Sequence, residues 1–370
     1  MRRSDGEDYC LDDLQRLRLP PSMTQLEGRQ FLMADSGPGL DRVLLFATHE
    51  TLDSMRGDTD LWMSDGCFKE APKPFVQLYT IHIQVRHIGH PVAYALLPNK
   101  ERPTYDKMWQ LLRGLLGDES TWKKPSVMLM DFELGAWKAF ESTFPGIEVQ
   151  GCFFHFRQAI NYRLREMGLG ACYAKAHAFR KRVATLAAMA FVPVAMVPEV
   201  WDRQKGIMHA RFNELRRLGG ILPDIQRAME DEEALWDYFE RTWVGPKKRR
   251  GGRAKPNFAV DMWSCEQRIR AHLALTNNRS ERYFRANSLK HCRSSLTIMV
   301  AELSKQQLVA EAIAKDIQQG ASGNPWPPTV ARDERLRVVM AEWEARIATG
   351  ELLADEFLDL VADILLHDTN

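Results

Sequence analysis

Residues 127–131 read Val-Met-Leu-Met-Asp, a short and wholly apolar run that ends on a carboxylate. Runs of this kind are typical of a central strand that is buried on both faces of a sheet. The run therefore predicts a strand in the middle of the fold. Asp131 then lies at the end of that strand, where open α/β sheets present their functional groups.

The segments on either side alternate between strand and helix patterns. Tyr79, Ile81, Ile83 and Val85 are separated by polar residues, which is the period of a half-buried strand. Helical spacing of apolar residues follows at about 104–116, after Asp131 and again after about residue 154. The remaining strands are predicted at 42–48, 61–63, 91–97 and from 147 to about 154. Residues 42–168 thus predict an α/β fold with the element order β-β-β-β-α-β-α-β-α.

The rest of the chain differs in character from this α/β part. It predicts a polar N-terminal segment, an all-α insertion, a return to the core and two C-terminal helices near 330–348 and 351–366. The predicted boundaries are 1–40 for the polar segment, 41–170 for the first part of the core, 171–260 for the insertion with a basic loop at 245–256, 261–320 for the return to the core, and 321–370 for the C-terminal helices.

Composition narrows the possible classes of protein. The chain has 370 residues, of which 45% are hydrophobic and 27% charged, and this excludes a disordered or fibrous chain. Lysine and arginine number 50 against 49 acidic residues, so any basic surface must be local. No apolar run reaches the ~18 residues of a membrane helix, and no secretory signal is evident. Six scattered cysteines indicate reduced thiols in an intracellular protein.

Three acidic residues occupy positions that suit a catalytic or metal-binding role: Asp65, Asp131 and Glu281. A mixed sheet can place the strands that carry the two aspartates side by side, and a late helix can add the glutamate. Three carboxylates without sulfur or histidine ligands suit Mg²⁺ or Mn²⁺. Two such ions, ~3.5–4 Å apart, are the usual machinery for in-line attack on a phosphodiester.

Each of these residues also has an ordinary structural interpretation. Asp65-Gly66 is a common turn pair, and Asp131 is placed to cap the helix that follows it. Asn278 and Glu281 have the spacing of a capping box. Taken singly, the structural interpretation is the stronger one for each residue.

Four sequence blocks, taken together, favour the functional interpretation of these acidic residues over the structural one. The blocks are Leu61-Trp-Met-Ser-Asp-Gly-Cys-Phe-Lys69, Asp131-Phe-Glu-Leu-Gly-Ala-Trp-Lys-Ala139, Gly151-Cys-Phe-Phe-His-Phe-Arg-Gln-Ala159 and Thr276-Asn-Asn-Arg-Ser-Glu281 with Asn287. In this order they resemble the catalytic blocks of Mutator-like element (MULE) transposases, and the resemblance spans about residues 42–310. One departure is Cys67, where the family commonly has threonine.

The resemblance implies an RNase H-like mixed-sheet core that is interrupted by the all-α insertion. It also implies a DDE-type DNA transposase, in which Asp65, Asp131 and Glu281 hold divalent metal for DNA strand cleavage and strand transfer. Glu281 rests mostly on the resemblance, and Glu266 is the alternative third carboxylate. Two other functions stay open: a domesticated, non-catalytic DNA-binding or chromatin protein, and a general RNase H-like nuclease.

Two further motifs concern partners. Cys152-x-x-His155 is half of a zinc site, but no second paired motif exists, so zinc is not expected. His155 and Arg157 could instead face a DNA phosphate. The loop residues Lys247, Lys248, Arg249, Arg250 and Arg253 form a basic run that suits nuclear import or contact with the DNA backbone.

The expected partners follow from the resemblance. They are duplex DNA at transposon ends and target sites, a second copy of the chain, or a separate end-recognition module, because no zinc-finger pattern precedes the core. No membrane association is expected. The predicted localisation is nuclear.

Overall fold

Seven strands form one mixed sheet around the apolar run at residues 127–130. The computed structural model describes residues 13–217, 223–276, 295–322, 327–348 and 354–367. Its strands are β1 (Gln25–Leu26), β2 (Arg29–Gln30), β3 (Leu32–Asp35), β4 (Leu44–Ala47), β5 (Leu61–Cys67), β6 (Gln77–Val85), β7 (Ile88–Leu97), β8 (Val127–Met130) and β9 (Glu148–Gly151). The large sheet has the order β3-β4-β7-β6-β5-β8-β9, and β1 pairs with β2 separately.

Helices follow and flank these strands. They are α1 (Asp13–Arg16), α2 (Pro21–Thr24), α3 (His49–Arg56), α4 (Arg102–Leu116), α5 (Leu134–Thr143), α6 (Phe153–Glu166), α7 (Gly170–Lys175), α8 (His177–Ala188), α9 (Val197–Arg217), α10 (Pro223–Phe239), α11 (Val260–Trp263), α12 (Glu266–Arg270), α13 (Leu296–Gln318), α14 (Pro327–Ala348) and α15 (Ala354–His367). The predicted mixed α/β class and the C-terminal helices are confirmed.

The strands that carry the two aspartates lie side by side, as the sequence predicted. β5 is antiparallel to β6 and parallel to β8. β6 is in turn antiparallel to β7. All four residues of β8 are buried, as expected for a strand covered on both faces.

Neighbouring residues of β6 show what covers each face. Leu78 packs into a cluster with Met299 and Leu303 of α13. Tyr79 contacts Tyr105 and Trp109 of α4. Because successive side chains of a strand point to opposite faces, α13 covers one face and α4 covers the other. Each fully buried side chain of this kind contributes roughly 1.5–3 kcal/mol through burial.

The N-terminal segment differs from its prediction. The sequence predicts a loop-like segment before residue 41, but β3 forms an edge of the sheet, and Leu14 and Phe31 lie in the α13 cluster. Arg42 fixes the segment by donating to the backbone carbonyls of Leu14 and Leu17. Apolar residues spaced this irregularly carry no period, so the sequence pattern did not reveal their burial.

The chain divides into two compact units. The first comprises residues 1–149 and 276–325, and the second comprises residues 150–275 and 326–370. These divisions fall at other residues than the predicted insertion of 171–260, and that boundary stays a prediction.

The second unit is built from helices. Between residues 152 and 276, its described part contains helices and loops and an isolated bridge between Lys247 and Arg253. Aromatic side chains fill its interior: Trp201 stacks on Trp236, and Phe156 stacks on Trp263. In neither unit does a described helix combine the length and the apolar character needed to cross a membrane.

Candidate metal centre

The pairing of β5 with β8 brings Asp65 and Asp131 together. Trp62 pairs with Met128 and Met63 with Leu129, and each pair is 66 residues apart in sequence, as are Asp65 and Asp131. The same register therefore carries the two aspartates to the same level of adjacent strands, which lie about 4.8 Å apart. One carboxylate oxygen of Asp65 lies within 4.8 Å of one of Asp131.

Asp65 is held within a strand. Asp65 and Gly66 pair with Thr80 and Tyr79 inside β5 and β6, so the interpretation as a turn pair is wrong. The hydroxyl of Thr80 donates to the backbone oxygen of Asp65 over 3.3 Å. Gln77 packs closely against Gly66: a Cβ atom at Gly66 would lie 2.0 Å from Nε2 of Gln77, so a larger residue there would displace that amide.

Asp131 follows β8 and does not cap the next helix. The N-cap of α5 is Glu133, without a side-chain capping hydrogen bond, so the capping interpretation of Asp131 is wrong. Oδ1 of Asp131 is buried and has no hydrogen-bond partner among the residues that the structure describes. A buried carboxylate oxygen without a partner is costly, and such a group requires an explanation.

Burial raises the pKa of both carboxyl groups, and repulsion adds to the shift at Asp131. Burial raises the pKa of Asp65 to about 6, against the opposing effect of the Gly66 backbone N–H. Burial raises the pKa of Asp131 to about 8, and the negative charges of Asp65 and Glu133 raise it further, while Lys100 acts in the opposite direction. Two negative charges about 4.8 Å apart repel by roughly 3 kcal/mol at an effective dielectric constant of 20.

A hydrogen-bonded chain of side chains supports this edge. Tyr105 donates its hydroxyl to Oε1 of Gln77 over 2.7 Å, and Nε2 of Gln77 donates to Glu133 over 3.4 Å. Ser64 and Tyr79 share a hydroxyl contact of 2.9 Å on the neighbouring strands. Sequence reasoning missed Gln77, Tyr105 and Glu133 as neighbours of the site, because only the tertiary structure brings them together.

The donor set fits a hard divalent cation. Mg²⁺ and Mn²⁺ prefer oxygen ligands, and Mg²⁺ is usually held by one or two protein carboxylates together with water and substrate phosphate. Asp65 and Asp131 supply such a pair, and the unpartnered Oδ1 of Asp131 is a free ligand atom. A cation between the two carboxylates would offset their repulsion and lower both pKa values.

Of the two candidates for a third carboxylate, the structure describes only Glu266. Glu281 lies outside the described residues and stays a prediction. Glu266 begins α12 in the second unit, where it accepts from the backbone N–H of Val194 over 3.2 Å and pairs with Arg270 over 2.7 Å. The Glu266 carboxylate is therefore committed to contacts that hold the second unit together.

His155 and Arg157 lie on α6 in the second unit. Burial lowers the pKa of His155 to about 4, so its imidazole is neutral at pH 7. Arg157 donates to the backbone oxygen of Leu365 over 3.5 Å, an intrachain contact. A role for either side chain in DNA contact stays a prediction.

The predicted basic loop separates into an anchor and a tip. Arg253 is the anchor: its side chain is 13% exposed and pairs with Asp202 and Glu240. Lys247 also pairs with Asp202 over 2.8 Å. Lys248, Arg249 and Arg250 are exposed and form the tip, which is closed by a hydrogen bond from the N–H of Lys248 to the oxygen of Gly252.

The site therefore consists of paired carboxylates at one end of a mixed sheet, a donor set that suits a divalent cation. Residues 61–159, which contain both aspartates, match the family model of the MULE transposase domain. This match confirms the resemblance to the MULE family over that segment. No curated protein matches the chain significantly.

Proposed function

We propose that this protein is a divalent-metal-dependent DNA transposase that cleaves DNA strands and transfers their ends. The observation that carries the proposal is the in-register pair Asp65 and Asp131, with its buried and unpartnered oxygen, inside the segment that matches the MULE transposase domain. A site with this donor set and this family match suits phosphodiester chemistry.

The two aspartates would hold the metal, with Glu281 as the third ligand. Bound divalent ions supply an activated attacking oxygen and stabilise the leaving oxygen of the phosphodiester. Asp65 is fixed by the pairing of β5 with β6, and Asp131 follows β8 at the same level. The rigidity of these strands keeps the ligand atoms in place, as precise in-line chemistry requires.

The chain from Tyr105 through Gln77 to Glu133 has a positioning role in this proposal. It holds the Glu133 carboxylate close enough for its charge to raise the pKa of Asp131. Added negative charge favours capture of a cation by the neighbouring aspartates.

DNA binding in this proposal draws on the second unit as well. The tip residues Lys248, Arg249 and Arg250 are exposed, and cations of this kind bind phosphates without reading sequence. Arg253 holds the base of the loop and is not counted among the DNA contacts. Duplex DNA at element ends and targets, and a location in the nucleus, complete the proposal.

Substrate competition tests this function against its alternatives. Labelled duplex DNA and an RNA–DNA hybrid of the same sequence are incubated with the protein and Mn²⁺, and cleavage of each is followed. The proposal predicts preferential cleavage of duplex DNA. Preferential cleavage of the hybrid would identify a general RNase H-like nuclease, and tight DNA binding without any cleavage would identify a non-catalytic DNA-binding protein.

A further inference from the structure

Four segments leave the sheet at the end of the strands where the two aspartates lie. β5 ends at Cys67, which pairs with Leu78 near the start of β6. Gln77, the first residue of β6, pairs with Leu97, the last residue of β7. Since β8 runs parallel to β5, it also finishes at this end of the sheet. The residues just beyond these strand ends therefore lie at the same end of the sheet as the carboxylate pair.

Several of these residues are apolar and open to solvent. Phe68, Val76 and Leu134 are 38%, 43% and 39% exposed. Phe68 directly follows β5, Val76 directly precedes β6, and Leu134 begins α5 beside Glu133. We call these three residues together with Lys100 the rim. Exposed apolar groups that cluster beside polar ligand atoms are typical of a binding surface.

Lys100 gives the rim a positive charge. Its ammonium lies 3.3 Å from the centroid of the Phe68 ring, within the range of a cation–π contact. Lys100 forms no ion pair with any residue that the structure describes, and its charge acts on Asp131. Its backbone oxygen lies 3.6 Å from the Cβ position of Gly135 in the first turn of α5. The cation thus lies against the aromatic ring and also acts electrostatically on a candidate metal ligand.

We propose that Phe68 and Lys100 bind an unpaired nucleotide of the DNA strand beside the scissile phosphate. The base stacks on the Phe68 ring, and Lys100 contacts a neighbouring phosphate. An aromatic face accepts any base, because every base has a π-face, and a cation beside it matches the charge of the backbone. This inference rests on the proposed function, because it places the nucleotide at the same carboxylate site.

The reason for an unpaired nucleotide is geometric. The carboxylates are half-buried at this end of the sheet, so the scissile phosphate must come close to the strands. Separation of the terminal base from its partner gives the strand this freedom, at a cost of a few kcal/mol. Stacking on Phe68 offsets part of that cost. The ring therefore favours DNA ends with an unpaired nucleotide, and any preference for sequence comes from other residues.

Binding to two duplexes tests the inference. One duplex is blunt, and the other has the same sequence with one unpaired 2-aminopurine nucleotide at a 3′ end. Affinity and 2-aminopurine fluorescence are measured without divalent ions, so that neither strand is cut. The wild type is expected to bind the unpaired end about tenfold more tightly than the blunt end and to quench the fluorescence.

Variants assign this preference to the rim. Phe68→Ala should abolish both the preference and the quenching, whereas Phe68→Trp should retain them. Lys100→Gln should weaken binding of both duplexes and reduce the salt slope by about one. Leu40→Ala and Lys138→Gln change exposed residues outside the rim and should leave binding as in the wild type.

The possible failures are distinguishable. If the wild type shows no preference, or if Phe68→Ala keeps it, the inference is overturned even when the protein cleaves DNA. If Phe68→Ala alters only self-association, the rim is a protein-docking surface and the inference is overturned as well. If the preference depends on Phe68 but no cleavage occurs with Mn²⁺, the proposed function fails while the nucleotide-binding inference stands.

Discussion

The carboxylate pair of the first unit and the Arg253 cluster of the second unit differ in how their charges are arranged. In the Arg253 cluster each carboxylate is paired with cations, whereas in the carboxylate pair two acidic groups lie together. At Arg253, Asp202 is paired with two cations, Arg253 and Lys247. Glu240 is likewise paired with Arg253 and Lys205. At Asp131, an oxygen is buried without a hydrogen-bond partner among the described residues, and the negative charges of Asp65 and Glu133 raise its pKa against the smaller effect of Lys100. Matched charges stabilise the fold, whereas two carboxylates this close together favour either a bound proton or a bound cation.

The largest expected effect comes from breaking the matched cluster. Arg253→Met removes the cation shared by Asp202 and Glu240 and should lower the free energy of unfolding of the second unit by about 3 kcal/mol. Urea unfolding measures the change. Arg249→Met, at the exposed tip, is the matched control and should stay within about 0.5 kcal/mol of the wild type. Equal effects of the two substitutions would show that Arg253 is not an anchor.

Substitution in the carboxylate pair should have the opposite effect and raise the free energy of unfolding. Because the pKa of Asp131 is raised from 3.8 to about 8, its contribution to stability is full below about pH 4 and is lost as the pH rises through about 8. Asp131→Asn removes this loss, so the metal-free variant should exceed the wild type in unfolding free energy at pH 8 by about 2 kcal/mol. At pH 4 the difference should vanish.

The control for this pH series is Asp118→Asn. The pKa of Asp118 is lowered by the backbone N–H of Ser120, so this substitution should give no stabilisation at pH 8. Thermal unfolding at pH 4 and pH 8 compares the three proteins. A wild type more stable than Asp131→Asn at pH 8 without metal would contradict the raised pKa of Asp131.

Added metal should sharpen the contrast between the two regions. At ten times its Kd, Mg²⁺ or Mn²⁺ should raise the unfolding free energy of the wild type at pH 8 by about 1.4 kcal/mol through mass action. Asp65→Asn and Asp131→Asn should lose this gain, while Arg249→Met should keep it. Calorimetry with NaCl of equal ionic strength as the reference measures the effect, and a gain that survives both aspartate substitutions would place the cation elsewhere.

The smallest effect concerns the exposed tip of the basic loop. Combined substitution of Lys248, Arg249 and Arg250 by glutamine should leave stability within about 0.5 kcal/mol of the wild type. It should reduce the slope of log affinity against log salt for duplex DNA by up to about 3, because each phosphate that a tip cation neutralises adds nearly one to the slope. An unchanged slope would remove the tip from the DNA-binding surface.

The sequence predicted the paired aspartates for a physical reason. An apolar run such as Val127–Met130 needs burial on both faces, which places it between two other strands of the sheet and fixes where Asp131 lies. The same logic placed Asp65 on the neighbouring strand, although it did not show that Gly66 and Cys67 continue that strand. The register of strands is a tertiary property, and it decides that Asp65-Gly66 is not a turn.

The remainder of the site could not be predicted from local patterns. Gln77, Tyr105 and Glu133 come from three elements far apart in sequence, and no period or motif links them. Arg253 and Arg249 are equivalent within one basic run, yet only Arg253 meets Asp202 and Glu240. Such differences arise from packing between elements.

Nicking of supercoiled plasmid DNA in Mn²⁺ tests the central claim most directly. The assay compares the wild type with Asp65→Asn and Asp131→Asn, each shown to be folded by thermal unfolding. We expect the wild type to nick the plasmid and both variants to lose this activity, because each substitution removes a carboxylate from the metal site. Equal nicking by all three proteins, or none by the folded wild type, would contradict the central claim.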